Sequence, residues 1–173
     1  MRYTMMRGGD QEALMAGLLE MPDMLDASFG SLSDDDAARP GPDGVSPVEI
    51  CWHLADLEAE GYAVRIKRLL GEDQPKLPDF NGAAIAKTRN YSRLPLGDAL
   101  NLFRYVRRAN VAILRRLTEE QWKRSGTQEG VGRVSLCDVP SMMAQHDASH
   151  RKEVTAWVAN RARSNEVASG FWI

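Results

Sequence analysis

The chain has 173 residues, with 22 Lys plus Arg against 24 Asp plus Glu and a formal net charge of −2 at pH 7; that length suits one domain of about 100–200 residues. The near-neutral balance excludes a dedicated nucleic-acid binder, which carries a basic excess or stripe, and no run approaches the roughly 18 uncharged apolar residues needed to cross a bilayer. A soluble, cytoplasmic domain with neither nucleic acid nor membrane as partner is expected, its two cysteines, Cys51 and Cys137, being reduced thiols rather than a disulfide framework.

Residues 1–9 are expected to be a flexible N-terminus. Leu14, Leu18, Met21, Leu25 and Phe29 then recur every three or four residues and predict a first helix from about Asp10 to Leu32. Pro22 predicts a kink or break near Glu20, because proline removes an intrahelical donor. Ser33 to Val45, with three consecutive aspartates, Pro40, Pro42 and Gly44, reads as a loop. Ser46-Pro47-Val48-Glu49 is a capping box with proline at the first helical position, the clearest helix start in the chain. From it Ile50, His53, Leu54, Leu57, Gly61 and Val64 share one face as far as Leu70-Gly71. A polar connection, Glu72 to Asp79, leads into a short helical stretch from Phe80 to Tyr91.

Leu100, Phe103, Val106, Val111 and Leu114 set the buried stripe of a third long helix, Leu96 to Leu117. Gly126, Gly130 and Gly132 mark a loop. The fourth helix is predicted from Ser135, losing a hydrogen bond at Pro140, with Val139, Met143, His146, His150, Val154 and Trp157 on its inner face. Period is lost after Arg163, and residues 164–173 form a tail ending in the apolar Phe171-Trp172-Ile173. Strand alternation is absent over any useful length. The fold expected over residues 10–163 is all-α, a four-helix bundle with a short extra helix in the crossover.

All three histidines of the chain fall on inward faces. His146 and His150 are one helical turn apart, so their Cβ atoms stand about 5–6 Å from each other and both rings reach one metal ion. His53 lies on another helix, also within an apolar stripe. Two readings stay open at this point: imidazoles satisfied individually in a core, or three neutral nitrogen ligands around Zn²⁺, Ni²⁺ or Fe²⁺ with positions left for water or substrate. Burying several imidazoles without a shared partner costs desolvation at each one, which favours the second reading. Asp56, one turn from His53, and Asp147, beside His146, are candidates to accept a ring N–H from behind the ligands. Asp147 points about 100° off the His146 direction, so an interhelical or surface carboxylate is its other reading.

Ser46-Pro47-Val48-Glu49-Ile50-Cys51-Trp52-His53-Leu54-Ala55-Asp56-Leu57-Glu58 resembles the opening helix motif of the DinB/YfiT-like metalloenzyme family. Ala144-Gln145-His146-Asp147-Ala148-Ser149-His150 is similar to the family's second motif. Tyr91, Phe103 followed by Arg107, Trp122-x-Arg124-x-Gly126 and Gly132-x-x-Ser135-Leu136 recur between them in matching order. The resemblance spans Leu14 to Trp157. It implies a four-helix bundle of unusual connectivity, often dimeric, holding one divalent metal through His53, His146 and His150. Family members of known activity are thiol-dependent transferases or isomerases using mycothiol, bacillithiol or glutathione. The chain departs from the pattern at Gln128, where relatives often carry a further histidine, and at Glu153, where glutamine is common.

The expected function is therefore a divalent-metal-dependent enzyme, with Zn or Ni as the metal. It would act as a thiol-dependent S-transferase, isomerase or hydrolase on a small electrophilic substrate, with a low-molecular-weight thiol as cofactor in the first two cases. The alternative is a non-catalytic, stress-linked metal-binding or interaction module, which requires no pocket beside the metal. Arg107, at the family-like position, is expected to hold an anionic substrate group through its two-nitrogen fork, with Arg65 as a further candidate. Tyr91 is expected to offer a phenolic hydrogen bond to substrate, and no residue is assigned a catalytic role. The apolar tail and eight methionines predict an exposed apolar face and a homodimer.

Overall fold

A computed structural model describes Met6 and residues 8–169. Four long helical segments form the bundle: α1 (Gly8–Phe29), the second, composed of α3 (Pro47–Asp56), a π-helical turn (Leu57–Tyr62) and α4 (Ala63–Gly71), then α6 (Leu96–Leu114) and α8 (Val139–Ser169). Three short helices, α2 (Asp34–Ala37), α5 (Gly82–Arg89) and α7 (Glu119–Lys123), lie in the connections. α6 packs against both α3 and α1, and α1 also packs against α8. No helix among the described residues is long and apolar enough to cross a membrane.

The capping box forms as the sequence predicts. The Glu49 carboxylate accepts from the Ser46 amide at 3.0 Å and from the Ser46 hydroxyl at 2.6 Å. α1 runs unbroken through Pro22, so the break allowed for there does not occur. Its inner stripe is Met15, Leu18, Met21, Leu25 and Phe29, all essentially buried, with Met15 in place of the expected Leu14. α1 already includes Gly8, two residues before the predicted start at Asp10.

The predicted loop around Gly126 is instead a small sheet, which the reading of four helices and little else misses. Strand β2 (Ser125–Gln128) pairs antiparallel with β3 (Gly132–Ser135), and β1 (Lys76–Leu77) adds in parallel along β2. Strands of two to four residues are too short to show alternation. A Cβ on Gly126 would lie 2.3 Å from the Pro75 carbonyl oxygen, so only glycine lets β1 approach this closely.

The last helix starts later than predicted. The Ser135 amide and hydroxyl both donate to Asp138 Oδ2, at 2.8 and 2.6 Å, while the Met142 amide donates to the Asp138 carbonyl as the first helical bond. Pro140 is thus the second helical residue, where an amide has no intrahelical acceptor, and it costs the helix nothing. α8 continues to Ser169, past the expected end at Arg163. Phe171-Trp172-Ile173, on which the exposed-face argument rested, lies outside the described residues.

Side chains at the two ends of the bundle form separate apolar clusters. Met15, Leu18, Tyr62, Ile66, Leu69, Val111, Leu114 and Met143 belong to one. Leu25, Phe29, Val48, Ile50, Leu54, Phe103, Val154 and Trp157 belong to the other. Each large apolar side chain buried this way contributes about 1.5–3 kcal/mol before chain entropy is subtracted. Between the clusters runs a polar layer, and the functional residues lie in it.

Candidate metal centre

Two helices carry the three histidines to one level. His53 is in the second turn of α3, and His146 and His150 occupy successive turns of α8. His146 Nε2 stands 3.2 Å from His53 Nε2 and 3.2 Å from His150 Nε2. One nitrogen from each ring falls within 4.8 Å of the others. Nitrogens held about 2.0–2.1 Å from a common zinc at tetrahedral angles stand about 3.3 Å apart, so the spacing suits a shared ion.

Hydrogen bonding alone does not satisfy this cluster. A neutral imidazole presents Nε2 either as one N–H or as one lone pair. His146 Nε2 can therefore bond to only one of its two close neighbours, and the other 3.2 Å contact sets nitrogen against nitrogen without a proton between them. A cation accepting all three lone pairs removes that conflict. Burial and the neighbouring imidazoles favour the neutral form of two of the rings, as metal ligation requires: His53 is lowered to about 4 by burial and then by His150. His146 is lowered to about 3 by burial, His150 and His53, with smaller contributions from Arg107 and Arg65.

Glu153, not an aspartate, backs a ring of the triad from behind. Its Oε2 lies 2.6 Å from His150 Nδ1, one turn along α8. That contact fixes the proton on Nδ1 and turns the Nε2 lone pair inward. The three-residue spacing from His150 was the signal in the sequence. The two aspartates expected in this role are engaged elsewhere. Asp56 accepts from the Tyr91 hydroxyl at 2.5 Å and pairs with Arg89 at 2.6 Å. Asp147, 3% exposed, points away from His146 and takes both Nη nitrogens of Arg107, at 2.6 and 3.0 Å.

Arg107 is likewise not free to grip a substrate. It is 1% exposed, with both Nη nitrogens held by Asp147, by Glu58 at 2.9 Å and by the Leu18 carbonyl at 3.0 Å. Glu58 belongs to the π-helical turn, and Asn110 donates to its carboxylate at 2.8 Å. Burial pushes the Glu58 carboxyl up, against the opposing pull of Arg107 and Asn110. The phase of α6 explains why sequence reading placed Val106 on the inner face: the buried stripe is Leu100, Phe103, Arg107, Asn110, Val111 and Leu114, with two polar members.

A cavity of about 330 Å³ opens beside the triad, floored by His53 and His150 and walled by Val45, Ile50, Ala83, Ala86 and Tyr91. Its size lies at the lower end of small-molecule sites. Tyr91 therefore reaches the cavity as expected, but its hydroxyl proton is committed to Asp56. Cys51 and Cys137 are both buried free thiols, and burial pushes the Cys51 thiol well above its ordinary range, so it is no thiolate ligand.

Gly82, the first residue of α5, closes on His53 from the cavity side. A Cβ there would lie 2.8 Å from His53 Cε1 and 2.9 Å from Nδ1. Gly82→Ala is expected to turn the His53 ring and weaken zinc binding about tenfold, the scale of lost support behind a ligand. Competition with a chromogenic chelator measures it, and unchanged affinity would show that the ring position is set by α3 alone.

Comparison with known proteins follows this geometry. The family model described as DinB superfamily matches residues 18–154. A protein of Geobacillus thermodenitrificans, provisionally named a metal-dependent hydrolase, is 27% identical over 150 residues, 86% of this chain and 84% of that protein. Its counterpart in Geobacillus kaustophilus, named in the same way, is 26% identical over the same shares. Among solved structures, YfiT from Bacillus subtilis, described as a probable metal-dependent hydrolase with an unusual four-helix bundle topology, aligns with a TM-score of 0.79. The identity is 20%, over 92% of this chain and 90% of YfiT. A mycothiol-dependent maleylpyruvate isomerase aligns with a TM-score of 0.68 at 11% identity, over 91% of this chain and 63% of the isomerase. At these identities the two structures speak for the fold: a four-helix bundle of the YfiT kind.

Proposed function

This chain belongs to the DinB superfamily, and from that premise we propose that it is a divalent-metal-dependent enzyme acting on a small molecule, with His53, His146 and His150 as ligands. The observation that carries this reading is His146 Nε2 at 3.2 Å from both of its neighbours, an arrangement that hydrogen bonds leave half unsatisfied. The names of the Geobacillus relatives and of YfiT support metal dependence and hydrolysis, and that of the isomerase supports thiol-dependent chemistry. The cavity on His53 and His150 favours an enzyme over a module whose metal is purely structural, because a structural site is closed by its ligands.

A bound zinc or nickel ion would supply Lewis acidity, making a water or a thiol nucleophilic at neutral pH. The chain's own residues do the rest. Glu153 holds His150 in the ligating tautomer. Val45, Ile50, Ala83 and Ala86 offer the apolar body of a substrate a dry wall. Tyr91, held by Asp56, presents its phenolic oxygen to the cavity as an acceptor. Hydrolysis is the better supported reaction, since the Geobacillus relatives carry that name.

The test is a panel of esters, amides and electrophiles assayed with zinc- and nickel-loaded protein, with and without glutathione, bacillithiol or mycothiol. Turnover dependent on metal is expected, and abolished by a chelator. Full metal occupancy with no substrate consumed, with or without thiol, would leave the enzyme reading without support and favour a binding module.

A further inference from the structure

Two arginines are buried in the polar layer, and they differ in one respect. Arg107 is held by two carboxylates and a carbonyl. Arg65, 4% exposed, makes no hydrogen bond or ion pair with any described residue; its Nε is shut off from solvent with no acceptor, as is the Nε of Arg107, so the two differ at their Nη nitrogens. Its described contact of note is the face of Tyr62, 5.4 Å from ring centroid to guanidinium carbon. A cation–π contact is worth about 0.5–2 kcal/mol, well short of the several kcal/mol it costs to bury a guanidinium. Asp79 is near enough for its charge to be felt at Arg65, but it forms no ion pair with it.

The backbone puts this cation on the His53 side of its helix, about three turns further along. Arg65 stands twelve positions after His53. Twelve α-helical steps of about 100° would leave it about 120° around the helix from His53. The π-helical turn at Leu57–Tyr62 takes up one extra residue, which returns Arg65 to within about 20° of the His53 direction. Side chains lean toward the N-terminus of their helix, so the guanidinium leans back toward the histidines. Its charge acts on His146. The insertion also explains why buried positions after it are Arg65, Ile66 and Leu69 rather than the predicted Val64.

We propose that Arg65 is the anion-recognition residue of this site, and that it takes a carboxylate or phosphate group of the ligand. This deepens the metal-enzyme reading by naming a substrate class: small molecules with one anionic oxygen group. Tyr62 backs the guanidinium and leaves its nitrogen edge for the two oxygens of such a group. The absence of an internal carboxylate there is what keeps the site available, in contrast to Arg107.

Calorimetric titration of zinc-loaded protein with acetate, succinate and inorganic phosphate, at constant ionic strength in chloride, tests it. At least one of the three is expected to bind saturably below about 10 mM, and Arg65→Met is expected to weaken that binding at least tenfold without changing zinc content. The carboxylate and phosphate arms identify which oxygen group is preferred. Equal binding by Arg65→Met, or no saturable binding of any of the three to the unmutated protein, overturns the proposal and makes Arg65 a cation stacked on Tyr62. Should Arg65→Met not fold, Arg65→Lys keeps the charge and loses the fork, and a loss of about fivefold is expected from it, with equal binding again overturning the proposal. Zinc content separates two failures: anion binding through Arg65 in protein that takes up no zinc would sink the metal reading and leave the anion site standing.

Discussion

His150→Ala is expected to lower zinc affinity by more than about a hundredfold, beyond the tenfold to hundredfold cost of losing a group behind a ligand. The reason is geometric. His150 is one of three donors, and it is the one whose orientation is fixed by a carboxylate, Glu153 at 2.6 Å. Without it, His53 and His146 remain as a pair 3.2 Å apart, able to satisfy each other by a single hydrogen bond and so with less need of a cation. Glu153→Gln is expected to lie between, at about tenfold, because an amide oxygen still accepts from Nδ1 but adds no charge. Asp147→Ala removes no group that touches a ring and is expected to leave zinc stoichiometry unchanged in the folded protein. Elemental analysis of protein purified without a chelating column, followed by chelator competition, reads all three. Equal zinc content in His150→Ala and unmutated protein would remove the triad from consideration as a metal centre.

Much of this centre was legible in the residue spacing. His146 and His150 are a turn apart, and the capping box at Ser46 fixes where α3 begins, hence which face His53 takes. What stayed hidden are features in which helix phase or a distant partner decides. A strict 3.6-residue period carried beyond Leu57 lands on Val64, and only the inserted π residue moves Arg65 inward. On α6 the preference for apolar residues selects Val106, although the stripe through Leu100, Phe103, Val111 and Leu114 has Arg107 in phase. A buried arginine is legible only once its carboxylates are known, and Glu58 and Asp147 come from two other helices. Asp56 and Asp147 were chosen as support for the histidines by proximity in sequence. Each is turned away by a stronger cationic partner, Arg89 and Arg107, that sequence proximity does not show.

Arg107→Met is expected to destabilise the metal-free protein by about 3–5 kcal/mol, the usual cost of breaking a buried charge network from one side. The substitution leaves Glu58 and Asp147, 1% and 3% exposed, without their shared cation. Burial already raises the Glu58 carboxyl, and Arg107 is the first group opposing that rise. A carboxyl raised in the folded state contributes stability below its ordinary value of 4.5 and loses it as pH climbs. The deficit of the variant is therefore expected to be smaller at about pH 4.5 than at about pH 8, which urea unfolding at the two pH values measures. Replacing all three charges together, as Glu58→Met, Arg107→Met and Asp147→Leu, is expected to recover most of the loss, since a well-packed apolar layer commonly equals a buried ion network. A cost below about 1 kcal/mol for Arg107→Met alone would mean that water reaches the layer and screens it. The outcome for zinc decides what the network is for. If the triple variant regains stability but binds zinc as poorly as Gly82→Ala, the charges hold α8 in register beneath His146. If it binds zinc normally, the two apolar clusters set the ligand geometry, and the Glu58–Arg107–Asp147 layer specifies only how the helices pair.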